Sequence, residues 1–304
     1  MLGVLNVYKP AGPTSRDVVG RVHAAVRRGL GVKKIKVGHA GTLDPLAEGV
    51  LGVCLGRATR LIEYLQDGRK EYRATFAFGV TSDSLDNETE PRPVGGSENV
   101  TETSLAATLP NFIGTIAQVP PAFSAVRIDG QRAFDLARQG RDVAPEPRPV
   151  VVDRFELDRL EPGEHGPVGT FTITCGAGTY VRSLGRDVAA ALGTAAVMTA
   201  LTRTRVGPLK LEDAVPFADL TFETVAARLL PPESALGDMP RVTLDGPESD
   251  AFRHGSFVPR PHTDAPPGPR AVFAADGKLL GVGRFDPVSG ALRPRAVLEP
   301  PRSP

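Results

Sequence analysis

The segment of this sequence best suited to chemistry is Gly38-His39-Ala40-Gly41-Thr42-Leu43-Asp44-Pro45-Leu46-Ala47-Glu48-Gly49. Its glycines allow backbone shapes that other residues resist, and Pro45 restricts Asp44 to an extended conformation, so a carboxylate is displayed on a shaped loop. Such a loop is a candidate active site. An Asp-Pro pair also serves simply to close a turn, and a single histidine such as His39 is commonly a packing or surface residue. The glycines are wrongly spaced for a Walker loop or a dinucleotide fingerprint, and no Gly-Lys-Ser/Thr follows. Nucleotide hydrolysis and nicotinamide redox chemistry therefore lose their main support. A carboxylate-dependent hydrolase would want a second acid nearby, and Glu48 is the local candidate.

Just upstream, Arg27, Arg28, Lys33, Lys34 and Lys36 place five positive charges within ten residues. A charge run can be a plain solvated face, but its nearness to Asp44 favours contact with phosphate, which supplies affinity without reading sequence. The net charge of +1 conceals this pattern. Residues 1–73 hold 13 Lys and Arg against 6 Asp and Glu, residues 211–250 hold 2 against 9, and residues 251–304 hold 8 against 4. Two basic ends could thus grip a polyanion without a high overall pI.

The elements that must position these groups alternate irregularly. Leu2 to Tyr8 predicts a first strand. Ser15 caps a helix with Val18, Val19, Val22 and Val26 at helical spacing, ended by Gly29, and a loop runs from Gly29 to Gly41. Val50 to Leu55 predicts a buried strand followed by a helix over Arg60 to Gln66. Lys70 to Val80 alternates, with Tyr72, Ala74, Phe76 and Phe78 on one face. Thr81 to Ser104 is polar and acidic and is expected to be a surface connection. Ser124 to Ile128 reads as a strand, Asp129-Gly130 as a turn, and Gln131 to Gln139 as a helix. Val168 to Cys175 predicts a strand, Thr179 caps a helix with Val181, Leu184 and Val188 on one side, and Ala196 to Val206 is strand-like. This mixture predicts an α+β fold around a mixed, mostly antiparallel sheet, not a doubly wound one.

With 304 residues the chain has room for two domains. Pro231 to Pro240 is proline-bearing and reads as a linker. Short strands over Arg241 to Leu244, Ala271 to Ala275, Leu279 to Phe285 and Ala296 to Leu298 then predict a small all-β module, made basic by Arg253, Arg260, Arg270, Arg284, Arg293 and Arg295. Cys54 and Cys175 are too few for a disulfide framework or a zinc site, which points to a reducing compartment. The N-terminus does not read as a secretory signal, and the apolar stretch Val188 to Leu201 is too short to span a bilayer, so a cytoplasmic protein with no membrane partner is expected.

The segment from Gly38 to Gly49 resembles the catalytic motif of the TruB family of tRNA pseudouridine synthases. Further stretches agree in the family's order: Asn6 to Ser15 (NVYKPAGPTS), Lys70-Glu71-Tyr72-Arg73, Pro120 to Arg127 (PPAFSAVR), Ala137-Arg138-Gln139-Gly140 and Gly178 to Leu184 (GTYVRSL). They cover roughly residues 3–230 and imply a catalytic domain over 1–230 with a sheet of the pseudouridine synthase type. The C-terminal segment, 241–304, resembles the PUA-type RNA-binding module of the family.

The resemblance implies isomerisation of a uridine to pseudouridine in the T loop of tRNA, at position 55. The N1–C1′ bond breaks, the base turns over and rejoins through C5, with nothing added or lost. Neither a metal, a nucleotide nor any other cofactor is expected. The resemblance makes Asp44 the nucleophile, acting at C1′, through a glycal, or at C6 of the ring, alternatives that stay open. A carboxylate in a dry pocket must remain ionised, which a cation within about 4–6 Å favours, and Arg182 is the implied partner. Tyr72 is implied to stack on the uracil and complete proton transfer, and Tyr180 and Leu201 to form the pocket walls. His39 is implied to occupy the place left by the flipped-out base, and Lys9 to support the loop.

Phosphate contacts are assigned to Arg27, Arg28, Lys33, Lys34, Lys36 and Arg127. The family commonly carries Tyr where Phe123 and Phe134 stand, and Lys where Arg127 stands. The expected partner is the T arm of tRNA and the expected state a monomer. The competing reading is a non-catalytic tRNA-binding or folding factor that uses the same basic surfaces.

Overall fold

The computed structural model describes residues 1–299 except 125, 129, 142, 144, 260–265 and 287, with 132 and 137 described by backbone alone. Ten strands form one sheet. They are β1 (Gly3–Lys9), β2 (Val37–Ala40), β3 (Glu48–Leu55), β4 (Lys70–Phe78), β5 (Gly114–Gln118), β6 (Arg148–Glu161), β7 (Val168–Cys175), β8 (Ala196–Val206), β9 (Leu209–Lys210) and β10 (Val215–Pro216). Their order is β10-β1-β3-β8-β4-β7-β6-β5, with β2 edging β3 and β9 edging β8. Only the β1–β10 and β3–β8 pairings are parallel. The expected α+β fold with a mostly antiparallel sheet is what the chain adopts.

Alternation along β4 buries Tyr72, Ala74, Phe76 and Phe78 on one face. Residues from the helix over Val181–Ala191 cover that face through Val181, Leu184 and Val188. Because β4 runs centrally, between β8 and β7, Tyr72 lies beside Arg203 on one neighbour and Ile173 on the other.

Several local expectations are corrected. The first helix, α1 (Ser15–Leu30), is capped by Thr14 and not by Ser15: Thr14 Oγ1 accepts from Asp17 N, and the Asp17 carboxylate accepts from Thr14 N at 2.8 Å. It runs through Gly29 and ends at Gly31, which takes the left-handed φ of 63°. Gly29 instead makes room for Phe222, whose ring a Cβ there would meet at 2.0 Å. The segment read as a loop from Gly29 to Gly41 contains β2, because residues 37–40 add to the edge of β3. Residues 81–104 are not a mere surface connection, since Ser82, Ser84 and Asp86 are buried. Their polarity misled because buried polar groups can satisfy one another; both serine hydroxyls donate to the Asp86 carbonyl. The second long helix, α2 (Val181–Ala191), has Tyr180 at its N-cap with no side-chain cap, so Thr179 does not do that work. The strand expected at Ser124 to Ile128 reduces to Arg127–Ile128 paired with Gln131–Arg132, followed by a helix over Ala133–Arg138. Asp129, the expected turn residue, lies outside the described residues, as does Arg260.

The C-terminal segment forms a second sheet of five strands, β11 (Arg241–Leu244), β12 (Val258–Pro259), β13 (Gly268–Ala274), β14 (Leu279–Asp286) and β15 (Ala291–Val297), ordered β11-β13-β14-β15-β12. It also carries a helix, α3 (Gly246–Arg253), started by a capping box between Asp245 and Glu248. That box, followed by the apolar Phe252, was the sequence signal for the helix.

The two sheets share a core. Ala271, Phe273, Leu279, Val282, Ala296 and Leu298 pack in one cluster with Val4, Ala40, Val50, Cys54, Ala58, Leu61 and Leu65. Ala235 and Leu236, in the segment expected to be a linker, are buried in the same cluster, and Pro232–Ala235 form a 3-10 turn. Arg60 Nη1 donates to Val297 O at 2.9 Å across the junction. Leu298→Ala is therefore expected to lower stability by about 2–4 kcal/mol and to shift a single cooperative unfolding transition. Calorimetry resolving two independent transitions, only one of them moved, would contradict a common core.

Candidate active site

The backbone around Asp44 is tied from four directions. Ser15 Oγ accepts from Leu43 N at 2.9 Å and donates to Leu43 O at 3.1 Å. Lys9 Nζ donates to Ala47 O at 2.6 Å, Pro10 O at 2.9 Å and Pro45 O at 3.4 Å. Gly12 N donates to Pro45 O at 2.8 Å. Arg203 donates through Nη2 to Gly41 O at 3.0 Å and through Nη1 to Thr42 O at 3.5 Å. Leu43 and Ala47 on either side of Asp44 are buried in the core beneath β4. At the loop's far end Gly49 has φ of 109°, and a Cβ there would lie 2.2 Å from the Arg203 carbonyl. Only glycine can let β3 approach β8 that closely.

This frame presents the Asp44 carboxylate, 40% exposed, to the guanidinium of Arg182 at 3.0 Å. Arg182 is itself buried, with both terminal nitrogens engaged. Its Nη1 meets the carboxylate of Asp86 at 3.2 Å and donates to Ser84 O at 2.9 Å, while Nη2 also donates to Phe123 O at 3.0 Å. One guanidinium thus bridges an accessible carboxylate and one that is 1% exposed. Phe123 contributes its carbonyl to this arrangement, so the family's usual Tyr side chain is not needed for that contact.

Tyr72 is 7% exposed and shares the core cluster with Leu43 and Leu201. Burial raises its phenol pKa above the usual value, Arg203 opposing that shift. The resting phenol is therefore protonated. Tyr180 is held by its backbone: its N donates to Gln118 Oε1 at 2.8 Å, and Gln118 Nε2 donates to its carbonyl at 3.1 Å. His39 sits half-buried on β2 opposite Val53, and burial, with Arg203 second, holds its pKa below the usual value, so the ring is neutral at physiological pH. Arg27, Arg28, Lys33, Lys34, Lys36 and Arg127 are all exposed, the first two in the last turn of α1. Glu48 does not pair with Asp44. Its two oxygens accept from Tyr8 Oη at 2.7 Å and Thr202 Oγ1 at 3.0 Å, which leaves it as a tie between strands and removes the support for paired-carboxylate hydrolysis.

Known proteins share this arrangement's sequence. Residues 27–181 match the model described as "TruB family pseudouridylate synthase (N terminal domain)", and residues 240–298 match "Pseudouridine synthase II TruB, C-terminal". A relative from Symbiobacterium thermophilum named tRNA pseudouridine synthase B is 47% identical over 83% of this chain and 82% of its own. The chain belongs to the TruB family. One of the same name from Acaryochloris marina is 39% identical over 98% of this chain and 99% of its own. Among solved structures, a chain of a Cbf5-Nop10-Gar1 complex superposes with a TM-score of 0.75 at 27% identity, covering 99% of this chain and 87% of that one. TruB membership accounts for both sheets, since the two family models fall on the first and second sheet respectively.

Three residues of this TruB site escape motif reading, and a fourth, Ser15, falls within the Asn6 to Ser15 stretch but looks like a helix cap. Asp86 lies in a polar stretch, Gln118 ends an ordinary strand and Arg203 stands among alternating Thr and Arg. Only the fold brings them to the site. Lys9 illustrates what such anchoring is worth. Its ammonium is buried, which pushes its pKa down to about 8 against an opposing effect of Asp44. Lys9→Met is expected to cost about 2–3 kcal/mol by leaving buried carbonyls unpaired. Between pH 8 and 10.5 the unfolded lysine still holds a proton that the folded one has released, so the wild-type advantage grows with pH over that window. Urea unfolding of both proteins at pH 7.5 and 9.5 checks the size and the sign.

Proposed function

We propose that this TruB-family chain isomerises a uridine of tRNA to pseudouridine at position 55 of the T loop, acting as a cytoplasmic monomer with Asp44 as the nucleophile. The observation that supports it most is the 3.0 Å contact between an anchored, partly exposed Asp44 carboxylate and a buried Arg182 guanidinium. The guanidinium keeps the carboxylate ionised and aimed while Tyr72, Tyr180 and Leu201 enclose the uracil. Asp44 attacks the flipped nucleotide, the N1–C1′ bond breaks, the base turns, C5 joins C1′ as the Asp44 carboxylate is released from its adduct, and the proton that C5 loses in the last step is matched by one gained at N1. Tyr72 lies under the base. Its hydroxyl takes up that proton only as the phenolate, which Arg203 favours and burial opposes. His39, neutral, fills the vacated stack by shape and not by charge. Lys9 holds the loop that carries Asp44.

Residues 1–230 form the catalytic domain in this reading, 231–240 connect it, and 241–304 are a PUA-like module that contacts RNA. Arg27, Arg28, Lys33, Lys34, Lys36 and Arg127 meet the phosphates of the T arm. Incubation with an unmodified T-arm stem-loop, without metal or nucleotide, followed by pseudouridine detection is the direct test. Conversion at the T-loop uridine is expected. Tight binding with no conversion would instead support the folding-factor reading.

A further inference from the structure

Arg203 is the largest fully buried side chain, 1% exposed, and among the described residues it makes no ion pair. A buried charge without a carboxylate is expensive unless its donors are all placed. Here they are placed on the active site. Nε donates to Val50 O at 2.8 Å, and the two terminal nitrogens hold Gly41 O and Thr42 O of the nucleophile loop. Register sets Arg203 directly opposite Tyr72 on β4 and opposite Gly49 on β3, and its charge lowers the phenol pKa that burial raises. The fork of Arg, with donors in fixed directions, suits three carbonyls in a way an ammonium does not.

We propose that Arg203 is a positioning residue for the isomerisation, one guanidinium tying the Asp44 loop to the strand position opposite Tyr72 so that nucleophile and stacked ring keep one spacing. The inference rests on the function proposed above. It adds a residue that never touches the uridine but sets where the two that do are held. Its unshared charge also acts on the phenol. Of the groups whose charge bears on that hydroxyl, Arg203 on β8, Cys175 on β7 and Asp44 on the loop, only Arg203 favours the phenolate.

Arg203→Lys keeps the charge and loses the fork. It is expected to lower kcat on the T-arm stem-loop by about 10²-fold, the scale of an ångström's misplacement, with KM within threefold of wild type. Arg203→Gln, which also loses the charge, is expected to move the rising limb of the kcat profile and the Tyr72 phenolate absorbance upward in pH, the latter assigned by difference against Tyr72→Phe. A purely structural role would lower the melting temperature and leave kcat per folded molecule and both titrations unchanged, and that result overturns the proposal. Should neither variant fold, ¹⁵N NMR of the wild-type chain decides: the Arg203 Nε–H must be protected from exchange and must respond when Tyr72 is titrated, and an indifferent signal refutes the coupling. Absence of conversion by the wild type would refute the proposed function, whereas the Tyr72 titration in the absence of RNA judges Arg203 separately.

Discussion

Asp44→Asn is expected to lose turnover by at least about 10⁴-fold, the scale seen when a nucleophile is removed from a working site, while binding the T-arm stem-loop within a few-fold of wild type. The amide has the size of the carboxylate but cannot act as a nucleophile at carbon with comparable strength. Folding should survive. The Asp44 side chain is 40% exposed, so losing its half of the ion pair costs under about 1 kcal/mol. The loop is held by backbone carbonyls and not by the Asp44 side chain, and Arg182 keeps Asp86, Ser84 O and Phe123 O. Single-turnover assay with enzyme in excess separates the two effects, since it reads chemistry after binding is complete. An unchanged rate would remove Asp44 from the reaction.

Arg182→Met is expected to damage both stability and rate. The substitution leaves the Asp86 carboxylate, 1% exposed, without its cation, and breaking such a buried pair from one side costs about 3–5 kcal/mol. It also withdraws the charge that faces Asp44. The double variant Arg182→Met/Asp86→Leu separates these roles. Removing both charges relieves the unpaired carboxylate, so much of the stability should return, but turnover should not. Thermal melts and initial rates on the same samples test this, and recovery of activity in the double variant would show that Arg182 serves the fold alone.

The fold and the outline of the site were legible in the sequence for different reasons. Alternation announced β4 and β7, because a half-covered strand must alternate, while β8 read only as strand-like. The Gly38 to Gly49 segment stood out because so many conformationally special residues crowd around one acid. What stayed hidden was whatever required two distant polar segments to meet. Residues 81–104 read as exposed because nothing local says that Ser82, Ser84 and Asp86 will turn inward, the last two onto a guanidinium from residue 182. Ser15 looked like a cap because serine before an apolar helix usually is one; its neighbour Thr14 took that role and freed the Ser15 hydroxyl for Leu43. The junction of the two sheets was equally opaque, since prolines from 231 to 240 mimic a linker while Ala235 and Leu236 sit in a core.

The ties on the Asp44 loop also impose an order of assembly. Lys9, Gly12 and Ser15 leave the ribosome before Asp44, but Arg203 follows it by 159 positions, an interval of roughly 8–30 s at ordinary rates of translation. Strand β8, which carries Arg203, must slot between β3 and β4 before the loop is closed from that side. A nascent chain therefore cannot present a finished Asp44 loop to passing RNA, and the geometry proposed for the reaction arrives only after about two thirds of the 304 residues have been made.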